Sequence, residues 1–66
     1  MRVILNGEAV DLEEGTTVAG LVADHVPEVR GIAVAVNAEV APRSTWTDHV
    51  LADGDRIELL AAAQGG

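Results

Sequence analysis

Short apolar segments separated by polar turn residues make up the first dozen positions of the chain. Residues 2–5 are largely apolar and end at Asn6-Gly7, a dipeptide strongly associated with tight β-hairpins. Residues 9–12 then alternate between polar and apolar, which places their two larger apolar side chains on one face of a strand. This pattern predicts an opening β-hairpin.

A helix is predicted for residues 18–26. Either Thr16 or Thr17 can cap its first turn, because a threonine hydroxyl accepts a backbone N–H that has no partner inside the helix. Pro27 stops the helix, since the residue before a proline disfavours the helical conformation. The apolar residues at helical spacing form one stripe, which consists of Val18, Leu21, Val22 and Val26.

The middle of the chain predicts two further strands. Residues 32–36 (Ile-Ala-Val-Ala-Val) alternate large and small side chains without a charge. This pattern predicts a strand near the centre of the sheet, covered on one face and shielded on the other. Asn37-Ala38 is predicted to turn into a short edge strand at residues 39–41, which Pro42 ends. Residues 44–50 are predicted to be irregular or to form a single helical turn, with Ser44 as a cap.

The last strand is predicted at residues 56–60, after a tight turn at Asp53-Gly54-Asp55. Residues 61–66 offer nothing to pack, so we expect a flexible C-terminal tail beyond a folded domain at residues 1–60. The order ββαβββ predicts an α+β fold of the β-grasp (ubiquitin-like) type. By analogy with that fold, we expect a mixed sheet of about five strands packed on one main helix, with the first and last strands adjacent at the centre of the sheet.

Composition narrows the classes of function. A net charge of −7 opposes binding to nucleic acid or to an anionic membrane, and 48% hydrophobic residues is typical of a folded domain. The chain has no cysteine and two histidines, so we expect no thiolate nucleophile, no metal and no bound cofactor. No leader or membrane-spanning segment is evident, so we expect a cytoplasmic protein that is a monomer when alone.

Three stretches of the chain are characteristic of one family. They are Val40-Ala41-Pro42-Arg43-Ser44-Thr45-Trp46, Leu51-Ala52-Asp53-Gly54-Asp55-Arg56-Ile57-Glu58 and the terminal Ala63-Gln64-Gly65-Gly66. With these stretches, the full length of the chain resembles the thiamine-biosynthesis sulfur carrier family (ThiS), within the ubiquitin-like group that includes the small subunit of molybdopterin synthase. One departure is Ala38, where the family commonly has glycine after the asparagine.

The resemblance implies that the protein is not an enzyme but is acted on by enzymes. In such carriers an E1-like enzyme uses ATP and Mg to adenylate the terminal carboxylate, which here is that of Gly66. A sulfur donor system then converts the acyl-adenylate to a thiocarboxylate, and thiazole synthase or another acceptor enzyme receives the sulfur. The residues expected to be recognised along the tail are Ala63, Gln64 and Gly65.

Two terminal glycines suit this chemistry for physical reasons. Without a Cβ, glycine reaches dihedral angles that other residues cannot, and its backbone can enter a narrow channel. The tail from Ala61 spans at most about 20 Å when extended, enough to enter a partner's nucleotide site while the domain stays outside. A carboxylate is a poor acyl donor, and adenylation supplies the leaving group that sulfur displaces.

Three other functions remain open from the sequence. The chain could carry sulfur for another pathway (cysteine, molybdopterin or a thio-natural product), act as a ubiquitin-like protein modifier, or bind a partner without tail chemistry. The four basic residues are all arginines, so no side chain of the protein can accept its own C-terminus. Attachment to a lysine of a target protein is still allowed.

Other residues with chemical potential receive structural interpretations. Asp24-His25 and Asp48-His49 each place an acid beside a histidine, but adjacent residues point apart, so we expect surface or cap positions. Trp46 either covers one end of the sheet, which we favour, or anchors a partner. Arg43 either faces an acidic group or is solvated. The expected docking surface is the exposed sheet face, including Ile4, Leu60 and the small residues of strand 32–36.

Overall fold

The computed structural model describes residues 1–28 and 30–61. The elements in chain order are β1 (Arg2–Leu5), β2 (Glu8–Asp11), α1 (Val18–His25), β3 (Ile32–Val36), β4 (Glu39–Val40), a 3-10 helix (Arg43–Thr45) and β5 (Arg56–Ala61). β1 and β3 have the bounds predicted from the sequence. β2 lies one residue earlier than predicted, β4 ends one residue earlier, and β5 extends one residue further.

The strands form one mixed five-stranded sheet in the order β2-β1-β5-β3-β4. β1 and β5 run parallel, whereas the β1–β2, β3–β5 and β3–β4 pairs are antiparallel. β5 is therefore the central strand, and the predicted contact between the first and last strands is confirmed. A mixed sheet over one helix in ββαβββ order is the β-grasp arrangement, so the predicted fold class is confirmed.

Helix α1 covers one face of the sheet. Thr17 caps it, because its hydroxyl accepts the backbone N–H of Gly20 at 3.1 Å. Val26, which was predicted to end the helix, is instead its extended C-cap residue, since Pro27 follows it. Within the described residues no helix is long and apolar enough to cross a membrane.

The core between helix and sheet is aliphatic apart from one tryptophan. Trp46 is 4% exposed, and its indole Nε1 donates a hydrogen bond to the carbonyl of Ala41 at 2.7 Å. This geometry supports the structural interpretation of the tryptophan, because its only polar atom is hydrogen-bonded inside the protein. The buried residues are Val3, Leu5, Val18, Leu21, Val22, Val34, Val36, Ala41, Trp46, Leu51 and Ile57.

The segment after β4 forms the predicted single helical turn, but its cap differs from the prediction. Pro42 occupies the N-cap position, and no side chain provides a capping hydrogen bond. The prediction of Ser44 as the cap was wrong because the proline ring fixes the backbone at the start of the turn, two residues earlier. The Pro42 carbonyl then accepts from the Thr45 hydroxyl at 2.6 Å, so Ser44 lies inside the turn.

Strand β3 has surroundings that differ from those predicted. Val34 and Val36 point into the core, whereas Ala33 is exposed and Ala35 is half-buried on the opposite face. Alanine is common both inside proteins and at their surfaces, so the alternation alone does not distinguish a shielded face from an open one. The prediction that β3 is shielded on its second face was therefore wrong.

The turn between β3 and β4 places two residues in the left-handed region, Asn37 at φ 52° and Ala38 at φ 72°. Positive φ at both central positions is the signature of a type I′ hairpin turn. The Asn37 side chain gains contacts there, since it donates to Asp55 Oδ1 and accepts from the Arg56 backbone N–H, both at 3.0 Å. Ala38 has no side-chain hydrogen bond to offset the strain on its Cβ.

We expect Ala38→Gly to stabilise the fold by about 0.5–1 kcal/mol, because removing the Cβ relieves left-handed strain that outweighs the added flexibility of the unfolded chain. The matched control is Ala9→Gly in the middle of β2, which should destabilise by a similar amount since no strain is relieved there. Urea or thermal unfolding measures both. The same sign of change at the two positions would contradict the assignment of strain to Ala38.

Candidate functional site

The residues predicted to carry the chemistry lie outside the described part of the chain, and their roles stay predictions; they are Ala63, Gln64, Gly65 and Gly66. The structure does describe Ala61, from which they continue. Ala61 is the last residue of β5 and pairs with Ile32 of β3. The predicted boundary after residue 60 thus falls inside the strand. Ala61, which we call the root of the tail, belongs to the sheet.

The C-terminal half of β5 is held from both sides. On the β3 side the antiparallel ladder continues as far as Ala61. On the β1 side the ladder ends at Leu5 and Ile57, and a side chain continues it: Asn6 Oδ1 accepts the backbone N–H of Leu59 at 2.9 Å. The root of the tail is therefore held in the sheet by its pairing with β3, and Asn6 holds the strand two residues before it on the β1 side.

Asn6 has two roles, of which the sequence predicts one. It forms the β1–β2 turn with a left-handed φ of 49°, as the Asn-Gly dipeptide indicates. Its second role, as an acceptor for β5, links positions 53 residues apart. No local pattern in the sequence signals a contact of that range.

The sheet face opposite α1 is not covered by any described element, and we call it the open face. Leu60 is 59% exposed on it and lies opposite Ala33 of β3, directly before the root of the tail. Val40 of the edge strand is 77% exposed and lies opposite Ala35. Of the residues predicted to be exposed on this surface, Leu60 and Ala33 are exposed, whereas Ile4 and Ala35 are half-buried. The outward residues are Arg2, Ile4, Ala9, Asp11, Ala33, Ala35, Val40, Arg56, Glu58 and Leu60.

One corner of the open face is neutralised internally. Arg2 of β1 lies opposite Asp11 of β2, and the guanidinium Nε is 3.0 Å from Asp11 Oδ1. The hydrogen bond from Arg2 and the positive charge of Arg2 lower the pKa of the Asp11 carboxyl. In turn, the same hydrogen bond and the negative charge of Asp11 raise the pKa of the Arg2 guanidinium. This pair keeps its charges satisfied without a partner protein.

A shallow groove of about 600 Å³ lies beside the root of the tail. Its lining is mostly apolar, and the charged pair Arg30–Glu28 at its rim is closed by a contact of 2.8 Å. The apolar lining consists of Val26, Pro27, Gly31, Ile32 and Ala61.

The remaining residues of chemical interest take structural positions. His25 Nδ1 lies 2.9 Å from the Leu21 carbonyl at the end of α1, as expected for a cap histidine. The Arg43 guanidinium lies 6.0 Å from the centroid of the Trp46 ring, and the ion pairs of the described residues include none between Arg43 and Glu39. Across residues 1–28 and 30–61 no acidic or histidine cluster could hold a metal ion.

The fold defines a ubiquitin-like β-grasp module whose central strand leads to the C-terminal residues 62–66. The ThiS family model matches residues 3–66. Over 66 residues, the full length of both chains, the sequence is 33% identical to the sulfur carrier protein ThiS of Escherichia coli (strain K12). The crystal structure of thiamine biosynthesis protein ThiS from Geobacter metallireducens matches with a TM-score of 0.86 and 29% identity, covering 100% of both chains. The chain therefore belongs to the ThiS family, and the predicted family resemblance is confirmed.

A longer relative connects this module with an enzyme. The chain is 32% identical over 66 residues to part of a protein named thiazole synthase from Paramagnetospirillum magneticum, and the match covers 20% of that protein. A sequence similar to this chain thus occurs inside a larger protein that bears the name of the predicted acceptor.

We expect Asn6→Gly to loosen the end of β5, because glycine accepts the left-handed turn but cannot accept the Leu59 N–H. Loss of one hydrogen bond of about 0.5–1.5 kcal/mol should speed amide exchange at Leu59 roughly three- to tenfold. Asn6→Asp is the matched control, since it keeps an acceptor oxygen in a residue that tolerates the turn. Hydrogen exchange followed by NMR measures both, and unchanged exchange at Leu59 in Asn6→Gly would contradict the anchoring role.

Proposed function

We propose that this chain carries sulfur for thiazole formation in thiamine biosynthesis, and that its working group is the Gly66 carboxylate. The observation that supports the proposal most directly is the family match over residues 3–66, which includes the terminal Gly65-Gly66. The chain acts in this scheme as a substrate of its partners rather than as an enzyme. Its cytoplasmic location and its monomeric state when alone stay predictions.

The proposed chemistry has two steps. In an E1-like partner that binds ATP and Mg, a Gly66 carboxylate oxygen attacks the α-phosphorus of ATP and pyrophosphate leaves. A donor then delivers sulfur at the oxidation level of sulfide. The new carbon–sulfur bond forms as the carbon–oxygen bond to AMP breaks, so the products are the thiocarboxylate and AMP. Thiazole synthase is the proposed acceptor, which the longer relative of that name supports.

The chain contributes delivery and chemical inertness. Residues 62–66 span at most about 17 Å beyond Ala61, so a partner that acts on Gly66 must also lie close to the end of β5. An activated acyl group reacts readily with thiols and amines, but the chain has no cysteine, and its four basic side chains are all arginines. Its side chains therefore offer no ready competitor for the activated terminus.

Intact mass spectrometry tests the chemistry. After incubation with the E1-like enzyme, Mg-ATP and hydrosulfide, we expect a mass gain equal to the replacement of one oxygen by one sulfur. The sample without ATP should keep its original mass, since the carboxylate then has no leaving group. An unchanged mass with an activating enzyme that is active on another ThiS protein would refute the proposal.

Deleting Gly66 should abolish adenylation, measured as ATP–pyrophosphate exchange, because the carboxylate no longer reaches the α-phosphorus. The thermal midpoint should stay within about 1 °C of the native value, because a terminal tail that does not pack on the domain, as predicted here, adds little to stability. Gly66→Ala is the matched control: it keeps the carboxylate at its position along the chain and adds only a Cβ, so we expect reduced but measurable exchange. A large fall in the midpoint would show that the tail packs on the domain.

The acceptor distinguishes thiazole formation from the other functions. The thiocarboxylated chain should transfer sulfur to thiazole synthase, detected as return of the carrier to its original mass. Transfer to the acceptor of another pathway instead would identify a different carrier role. Isopeptide-linked adducts on target lysines would identify a protein modifier.

A further inference from the structure

Strand β5 presents three side chains in one row on the open face, because alternate residues of a strand point to the same side. They are Arg56, Glu58 and Leu60, and successive members are about 7 Å apart along the strand. Since β5 is the central strand, the row runs down the middle of the face. Towards the root of the tail, the order is positive, negative, apolar.

The two charges of the row lack partners within the described part of the chain. Arg56 and Glu58 are both exposed, and neither belongs to an ion pair among those residues. In contrast, Arg2–Asp11 and Arg30–Glu28 are closed by contacts of 3.0 and 2.8 Å. Water satisfies exposed charges, but a protein that covers them must replace that hydration with opposite charges of its own. A partner that covers the middle of the open face therefore needs an acidic group at Arg56 and a basic group at Glu58.

The relief of the surface adds a second constraint. A hollow of about 330 Å³ is bounded by Arg56 and Glu58 together with the Asn37-Ala38 turn. A second hollow of about 320 Å³ has the same two charged residues on its rim, together with Ile4 and Gly7. Arg56 and Glu58 thus form a ridge between two hollows that partner side chains can enter. The ridge limits rotation of a docked surface, and the charge order sets its direction.

We propose that this ridge orients the chain on thiazole synthase, with an acidic group of the enzyme at Arg56 and a basic group at Glu58. The inference rests on the proposed function, in which thiazole synthase is the acceptor. Leu60 directly precedes Ala61, and at most about 17 Å of chain separates Ala61 from Gly66. An enzyme that holds Gly66 in its active site therefore also covers the end of the row. Leu60 then makes an apolar contact with the enzyme beside the entrance to that active site.

A second copy of the chain offers the same charges in another arrangement. Two open faces related by a two-fold axis can place each Arg56 against the other copy's Glu58. The net charge of −7 on every copy opposes this association, which favours an enzyme as the occupant.

A charge swap, Arg56→Glu with Glu58→Arg, tests the inference because it reverses the row and keeps composition and net charge constant. Binding to purified thiazole synthase from the same organism, measured by calorimetry, should weaken at least about tenfold, since both charges then face like charges. The rate of sulfur transfer at subsaturating enzyme should fall in parallel. Equal affinity of the swapped and native chains would overturn the proposal.

Matched variants separate the ridge from general charge. Glu58→Arg should weaken binding, whereas Glu13→Arg, the same change at an exposed position before α1, should bind like the native chain. Equal losses in these two variants would also overturn the proposal. All variants should keep the native unfolding midpoint, because the exchanged side chains are exposed.

Two further outcomes are distinguishable. Sedimentation showing that the native chain dimerises, and that the swap abolishes the dimer, would assign the ridge to self-association instead. If the native thiocarboxylate itself neither binds thiazole synthase nor transfers sulfur to it, the proposed function fails, whatever the variants do.

Discussion

The pairing of β5 with β1 on one side and β3 on the other is the interaction on which the rest of the structure depends. β5, the last strand, runs parallel to β1, the first strand, and antiparallel to β3. The strand that leads into the tail is thereby the central strand of the sheet. Asn6 extends its hydrogen bonding on the β1 side to Leu59, beyond the end of the parallel ladder. The segment that follows Ala61 thus starts at the end of the central strand, from a residue that is paired with Ile32 of β3.

The second constraint is size. The eight-residue helix α1 covers one face of the five strands, and residues 1–28 and 30–61 contain no element that covers the other face. A small domain of this kind buries about 60% of the surface that its unfolded chain exposes. Alanines at positions 9, 33 and 35 limit the apolar area of the uncovered face, while Leu60 and Val40 remain exposed on it. An open face is therefore a consequence of the architecture, and its side chains are available for recognition.

Local patterns in the sequence predicted most of the fold. The Asn-Gly turn, the helical apolar stripe and Pro27 each act within a few residues, so the bounds of β1, α1 and β3 follow closely from them. The open face of β3 and the bond from Asn6 to Leu59 were not predictable in this way, because both depend on which distant elements pack nearby. The candidate site likewise has one part that the sequence predicts and one part that only the structure shows. The Gly65-Gly66 terminus is visible in the sequence, whereas the ridge of Arg56 and Glu58 becomes recognisable only once their neighbours are known.

Core packing and recognition constrain one another through the two-residue period of β5. Ile57 is 1% exposed in the core, and the residues beside it in sequence, Arg56 and Glu58, point to the open face. A slip of one residue in the pairing of β5 would bury both charges and expose the core residues. The apolar core thus fixes which side chains a partner meets, and the same register sets where the tail begins. β5 therefore carries the ridge that we propose a partner recognises, and it also leads to the C-terminal segment on which we propose that the sulfur chemistry occurs.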